Sequence, residues 1–337
     1  ERREEAKQAA ETALRLEPHL EEARLAMARY YYNGLNDYQQ TEVELAKIPA
    51  SSPHTVEYFT LASLVERRLS RWEESIRDGR KAIELDPNNP ELVVNLCQTL
   101  SGLHRYDEST QLADEVIAKR HGIAPVRLLL AKSEAAMAQG DLKGTRDALE
   151  ATRDRESPDY DSAWLWLLLM ERNYDAVREK GAKLGDSGKE MAGNWLVLAA
   201  AEEAAGNQEG ARAAYSEAVR RAEAALGLRP DDPMYLAELG EAQARLGRKE
   251  EALHNVYRSA ELMPATADAL VAPQNVLRVG LVEAIVGNRD AAFARLKEAA
   301  KVPFGLSYGD LKLNPMWDFL RDDPRFDELL VATAVRF

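Results

Sequence analysis

The clearest hydrophobic pattern in the chain runs from Leu236 to Pro264. It reads Leu236-x2-Leu239-Gly240-x2-Gln243, then Gly247, then Ala252-x3-Val256-x2-Ser259, and closes at Pro264. Leu236, Leu239 and Gln243 share one stripe of a first helix, Gly247 supplies a turn, and Ala252, Val256 and Ser259 form the facing stripe of a second helix. Gly240, Ala252 and Ser259 are small where the two helices would touch, so the backbones can approach closely. Pro264 cannot continue the second helix.

The same theme recurs along the chain. Ala6, Ala10 and Ala13 precede Pro18 and read as the second helix of a repeat whose first helix is missing. Glu21 to about Pro49 is a divergent unit: Arg24, Met27, Ala28 and Tyr31 keep the spacing, Gly34-Leu35-Asn36-Asp37 makes a lengthened turn, and Tyr38 reopens the second helix. Pro53 and Pro87 are 34 residues apart, with Phe59, Ala62, Trp72 and Gly79 between them. Further units carry Leu96, Cys97 and Leu100; Leu129, Ser133 and Gly140; Trp164, Leu165 and Leu168, ahead of Tyr174; Trp195, Ala199 and Gly206; and Val276, Val279, Gly280 and Gly287. Cys97 stands in the small-residue slot of Gly240 and reads as core packing, whereas Lys132 fits its apolar slot poorly. In the Trp195 unit the second helix continues to about Leu228, where Gly227 and Pro230 stop it. One half repeat, eight complete repeats and a tail result. The tail, Lys312 to Phe326, has two Pro-interrupted segments rich in aromatics, and Trp317, Phe319 and Phe326 are expected to cover the last helix pair, since an array must close its ends.

Composition narrows the function classes. With 45% hydrophobic and 30% charged residues the chain is too apolar for disorder. A net charge of −13 argues against binding a phosphate backbone through this region. The longest apolar run, Trp164 to Met170, is far short of the ~20 residues a bilayer span needs, so no membrane insertion is expected. Cys97 is the only cysteine, so no intrachain disulfide can form. A reducing, cytoplasmic setting fits that, or a periplasmic one if an anchor lies upstream. The chain opens at Glu1 in mid-pattern and reads as a piece of something longer.

Catalytic chemistry finds little support. The histidines, at 19, 54, 104, 121 and 254, lack the pairwise spacing of a zinc site, so neither metal nor cofactor is expected. Gly185-Asp186-Ser187-Gly188-Lys189 has too few residues between its glycines for a phosphate loop, and Glu190 stands where Ser or Thr is required. It reads as a turn. The pairs Glu73-Glu74, Glu202-Glu203 and Glu250-Glu251 read as solvated helix surface. Trp164 and Trp166 point about 200° apart on a helix, so they cannot both be core; Trp166 either anchors a partner from the groove or packs on the adjacent helix pair.

Taken together, these residues resemble the tetratricopeptide repeat superfamily across nearly the whole chain, including its repeat period. The resemblance implies an all-α fold, an α-α solenoid in which antiparallel helix pairs wind into a right-handed superhelix. Residues 1–18 would be the truncated repeat's second helix, 19–303 eight repeats and 304–337 a C-terminal cap. In such proteins the first helices line a concave groove for a protein or peptide segment. Carried over by position, groove residues here are Arg29, Tyr32, Thr60, Leu64, Arg67 and Asn95, followed by Gln98, Glu134, Trp166, Glu241, Leu281 and Ala284. Thr60, Leu64, Val94 and Gln98 stand where a chaperone-type clamp would carry Lys and Asn, so that clamp is absent. Ala28 to Tyr38 and Leu313 to Phe326 also resemble the repeat regions that follow an effector domain in bacterial serine/threonine kinases, adenylate cyclases and winged-helix regulators. A non-enzymatic interaction scaffold is therefore expected, as the regulatory arm of a signalling protein. The alternative is a structural element that self-associates, which solution size measurement separates from the first.

Overall fold

Helices adjacent in the chain pack on one another along most of the described residues, which fold as a succession of helix pairs. The computed structural model describes residues 2–49, 54–119, 125–152, 158–184, 191–264 and 266–334. Pro53 and the segment Gly185 to Glu190 lie outside them. Two compact units form: Glu1–Leu100 with Thr266–Ala269, and Ser101–Ala265 with Leu270–Phe337.

The first unit contains α1 (Arg2–Leu16), α2 (Glu21–Arg29), α3 (Tyr38–Ala46), α4 (Val56–Arg68), α5 (Trp72–Leu85) and most of α6 (Pro90–Gly102). Between α2 and α3 the sequence predicts a lengthened turn. Instead Tyr30–Leu35 continues as π-helix, Asn36 turns the chain at φ 53°, and Asp37 caps α3 by accepting a hydrogen bond from the Gln40 amide at 2.9 Å. The wider winding is held by burial of Tyr32, whose ring lies 5.3 Å from that of Tyr38 in a core with Leu25, Ala28, Leu61 and Val65. Where α4 and α5 cross, Ser63 Oγ donates to the Ser75 carbonyl at 2.7 Å and Ser75 Oγ donates to the Ser63 carbonyl at 2.8 Å. Cys97 is buried.

The second unit contains α7 (Tyr106–Lys119), α8 (Val126–Gln139), α9 (Leu142–Glu150), α10 (Pro158–Met170), α11 (Tyr174–Ala182), α12 (Ala192–Ala204) and α13 (Gln208–Leu228). It continues with α14 (Pro233–Arg245), α15 (Lys249–Leu262), α16 (Ala272–Ile285) and α17 (Arg289–Ala299). Gly140, Gly206, Gly247 and Gly287 turn between paired helices at φ of 80–94°, a region where L side chains are strained. Asp141, Asn173 and Asn207 then cap the following helices through their side chains. A Cβ on Gly240 would lie 2.9 Å from the Ala252 carbonyl oxygen, and Ala252 and Ser259 are fully buried, so α14 and α15 meet through small residues as the pattern requires. Lys132, at its ill-fitting slot, is half-buried and pairs with Asp114.

The tail forms α18 (Tyr308–Leu313), a 3-10 turn (Pro315–Leu320) and α19 (Pro324–Ala332). Trp317 and Phe326 are buried, but Phe319 stays 36% exposed with the Arg245 guanidinium 5.3 Å from its ring centre. The segment also does more than close the last pair. While α19 packs on α17, α18 packs on α8, and Arg172 at the end of α10 grips the Asp318 carboxylate with two bonds of 2.6 and 2.8 Å. A Cβ on Gly309 would overlap the Met137 carbonyl oxygen of α8.

Candidate functional site: a carboxylate-lined cavity on the first helices

In the second unit, α8, α10, α12, α14 and α16 are the first helices of five successive pairs. Their shared face and the tail enclose an open cavity of about 490 Å³. Glu134 and Met137 come from α8, Trp166 and Met170 from α10, and Asn194 from α12. From α14 come Glu238 and Glu241, from α16 Arg278 and Leu281, and from the tail Asp310 and Trp317.

Two buried carboxylates dominate its electrostatics. Glu238 and Glu241 are three residues apart on α14, which sets both on one helix face. Arg278 reaches them incompletely: its Nε is 3.4 Å from Glu241 Oε2 and its Nη1 is 4.0 Å from Glu238 Oε1. The other oxygen of each, Glu238 Oε2 and Glu241 Oε1, is buried without a hydrogen-bond partner. Burial pushes the Glu238 carboxyl up to about 6, although Arg278 pulls the other way. Close packing adds to the constraint, since a Cβ on Gly193 would lie 3.0 Å from Glu238 Oε1.

Asp310 is held differently. It accepts from Asn314 Nδ2 and from Trp317 Nε1, both at 2.9 Å, while enclosure raises its carboxyl above the usual range against those two bonds. Glu134 reaches solvent but is ringed by protein, and the resulting desolvation also raises it. The two hydroxyls at the cavity are committed elsewhere: Ser162 Oγ donates to Asn194 Oδ1 at 2.9 Å, and Ser307 caps α18. This arrangement can hold a positively charged or hydrogen-bond-donating group between apolar walls.

The residues carried over by position separate into two sets. Glu134, Trp166, Glu241 and Leu281 are brought together on this cavity; Ala284 is buried in the core beside it. The remainder belong to the first unit, and several are engaged in packing rather than free. Tyr32 is buried, and its hydroxyl accepts from Arg68 Nε at 3.4 Å; Arg68 in turn pairs with buried Asp268 at 2.6 Å. Arg67 is also buried, donating to the Asn95 carbonyl at 3.3 Å, and desolvation lowers its guanidinium from the usual range. Thr60 donates to the Val56 carbonyl and, with Asn95, borders a void of about 10 Å³, room for one water at most. Leu64 packs against the core around Tyr32, Gln98 is half-buried, and exposed Arg29 pairs with Glu57 at 2.6 Å.

One expectation needs correction. Glu202 and Glu203 are half-buried cross-links and not solvated surface: Glu202 accepts from Arg178 at 3.0 Å, and Glu203 accepts from the Tyr215 hydroxyl at 2.7 Å and from Arg245 at 3.1 Å. Trp164 and Trp166 are both half-buried. The first stacks beneath the Arg146 guanidinium and the second faces the cavity. Glu238, Arg278 and Asp310 were missed. Glu238 and Arg278 each stand three residues before a residue that was singled out, Glu241 and Leu281, so helical spacing could have found them; Asp310 comes from the tail, to which no local signal points.

No family model matches the chain, and no curated protein matches it. Solved structures do. PilW, a widely conserved type IV pilus biogenesis factor, superposes with a TM-score of 0.50 at 19% identity over 58% of this chain and 90% of its own. The APC/C hetero-tetramer Cut9-Hcn1 gives a TM-score of 0.52 at 15% identity over 94% of this chain and 64% of its own. A tetratricopeptide repeat protein from Parabacteroides merdae ATCC 43184 also aligns, with a TM-score of 0.47 at 12% identity over 83% of this chain and 99% of its own. Likeness at such identities concerns the fold, which is an all-α α-α solenoid of the tetratricopeptide type.

Proposed function

We propose that the protein is a non-enzymatic scaffold that binds a segment of a partner protein on the face of its first helices, as the regulatory or partner-binding arm of a larger bacterial signalling protein. One observation carries the binding reading: five successive first helices surround a cavity of about 490 Å³ in which buried carboxylate oxygens lack partners. A pocket of that size, with carboxylates set between apolar walls, suits ligand capture. Cut9, which shares the fold, sits in a hetero-tetramer with Hcn1. The signalling-arm part rests on the resemblance of Ala28 to Tyr38 and Leu313 to Phe326 to the repeat regions of such proteins.

Selection of a random peptide library on the immobilised chain tests the binding reading. Glu134→Lys is the disabling variant, because that side chain lines the cavity yet is exposed, so its replacement spares the core. Enrichment of a sequence class on the parent chain and its loss on the variant are expected. No enrichment, or the same enrichment on both, overturns the proposal.

A further inference from the structure

We propose that the cavity receives a cationic group, the ammonium or guanidinium of a Lys or Arg side chain, presented by the bound segment. The inference rests on the segment-binding reading above and adds the chemistry that selects the segment. Among the described lining residues, Glu134, Glu238, Glu241 and Asp310 face a single guanidinium, Arg278. Asp310 is already met by Asn314 and Trp317, and the two glutamates on α14 are the groups short of donors. Glu241 is 1% exposed, and its Oε1 has no partner; Glu238, at 9%, has the same deficit at Oε2. Leaving a buried carboxylate oxygen unsatisfied is costly, and a charged N–H donor removes that deficit with a bond stronger than a neutral one.

The walls suit the rest of such a side chain. Met137, Met170 and Trp166 offer apolar surface to a methylene stem, and an indole face also attracts a cation. An anionic ligand is disfavoured, because Arg278 already leans on two carboxylates. The chain's net charge of −13 draws basic segments toward it over longer distances.

The test titrates the whole chain with three blocked pentapeptides, Ala-Ala-X-Ala-Ala with X as Lys, Arg or norleucine, and with n-butylamine. Binding is read by saturation-transfer NMR. The Lys and Arg peptides are expected to bind roughly tenfold or more tighter than the norleucine peptide. Glu241→Gln should bring them down to the norleucine level, with circular dichroism confirming the fold. Should Glu241→Gln fail to fold, Glu134→Gln, at an exposed position, is expected to reduce the preference in the same direction.

Equal binding of all three peptides overturns the cation inference and leaves the segment-binding reading standing. Binding of n-butylamine as tight as that of the Lys peptide overturns the presentation by a partner segment. If none of the probes binds, the inference falls, and the segment-binding reading is then judged by the library selection alone.

Discussion

Glu238 shows how one side chain couples the fold to its surroundings. Burial lifts its carboxyl to about 6, Arg278 lowers it, and Glu241 on the same helix and Asp232 at the helix start raise it further. The folded chain therefore binds this proton more tightly than the unfolded one, where the group titrates near 4.5. Its contribution to stability is fully present below that value and is lost as pH rises through about 6. Replacing it with Gln removes the cost of a buried charge, so Glu238→Gln should stabilise the protein by about 2 kcal/mol at pH 8 and by almost nothing at pH 4. Urea unfolding at both pH values checks this, and a pH-independent difference would refute it. At this scale the sequence was a partial guide. Helical spacing singled out Trp166, and the repeat resemblance Glu241, but neither could say that Glu203 is tied to Tyr215 and Arg245, because those partners come from neighbouring helices.

At the scale of elements, the α14–α15 hairpin was legible almost completely. Gly240, Gly247, Ala252 and Ser259 act over a span short enough for local pattern to dictate pairing. Ala252 is fully buried against α14, so Ala252→Leu should overpack the crossing and cost about 1–3 kcal/mol. Since helix pairs lean chiefly on their neighbours, amide exchange should rise first in α14, α15 and α16, while α4 and α5 keep their protection. Exchange that rises uniformly along the chain would contradict it. The π-helical Tyr30–Leu35 was not legible. Its winding depends on where Tyr32 is buried, and the Gly34 to Asp37 composition alone signals only a turn.

At the scale of the molecule, the tail is the element that local reasoning placed least well. It was expected to cover the last pair; it also reaches α8, and Asp318 meets Arg172 across 146 residues of sequence. Gly309 makes the approach to α8 feasible, because any side chain there meets the Met137 carbonyl. Gly309→Ala should therefore push α18 off α8, lower stability by about 1–3 kcal/mol and shift tryptophan emission to the red as Trp317 loses burial. A variant with the parent's melting midpoint and emission would show that the tail tolerates displacement.

The existence of the helices, their pairing with the next in line, the turn glycines and the small residues at crossings were already written in the amino-acid order, because each depends on side chains within a few turns of one another. The carboxylates left without donors, the tail as one wall of the cavity, and Asp268 buried against Arg68 200 residues away came only with the folded chain. Those features depend on which distant backbones come together, and on burial that raises the cost of a charge once they have, and neither quantity is carried by local periodicity.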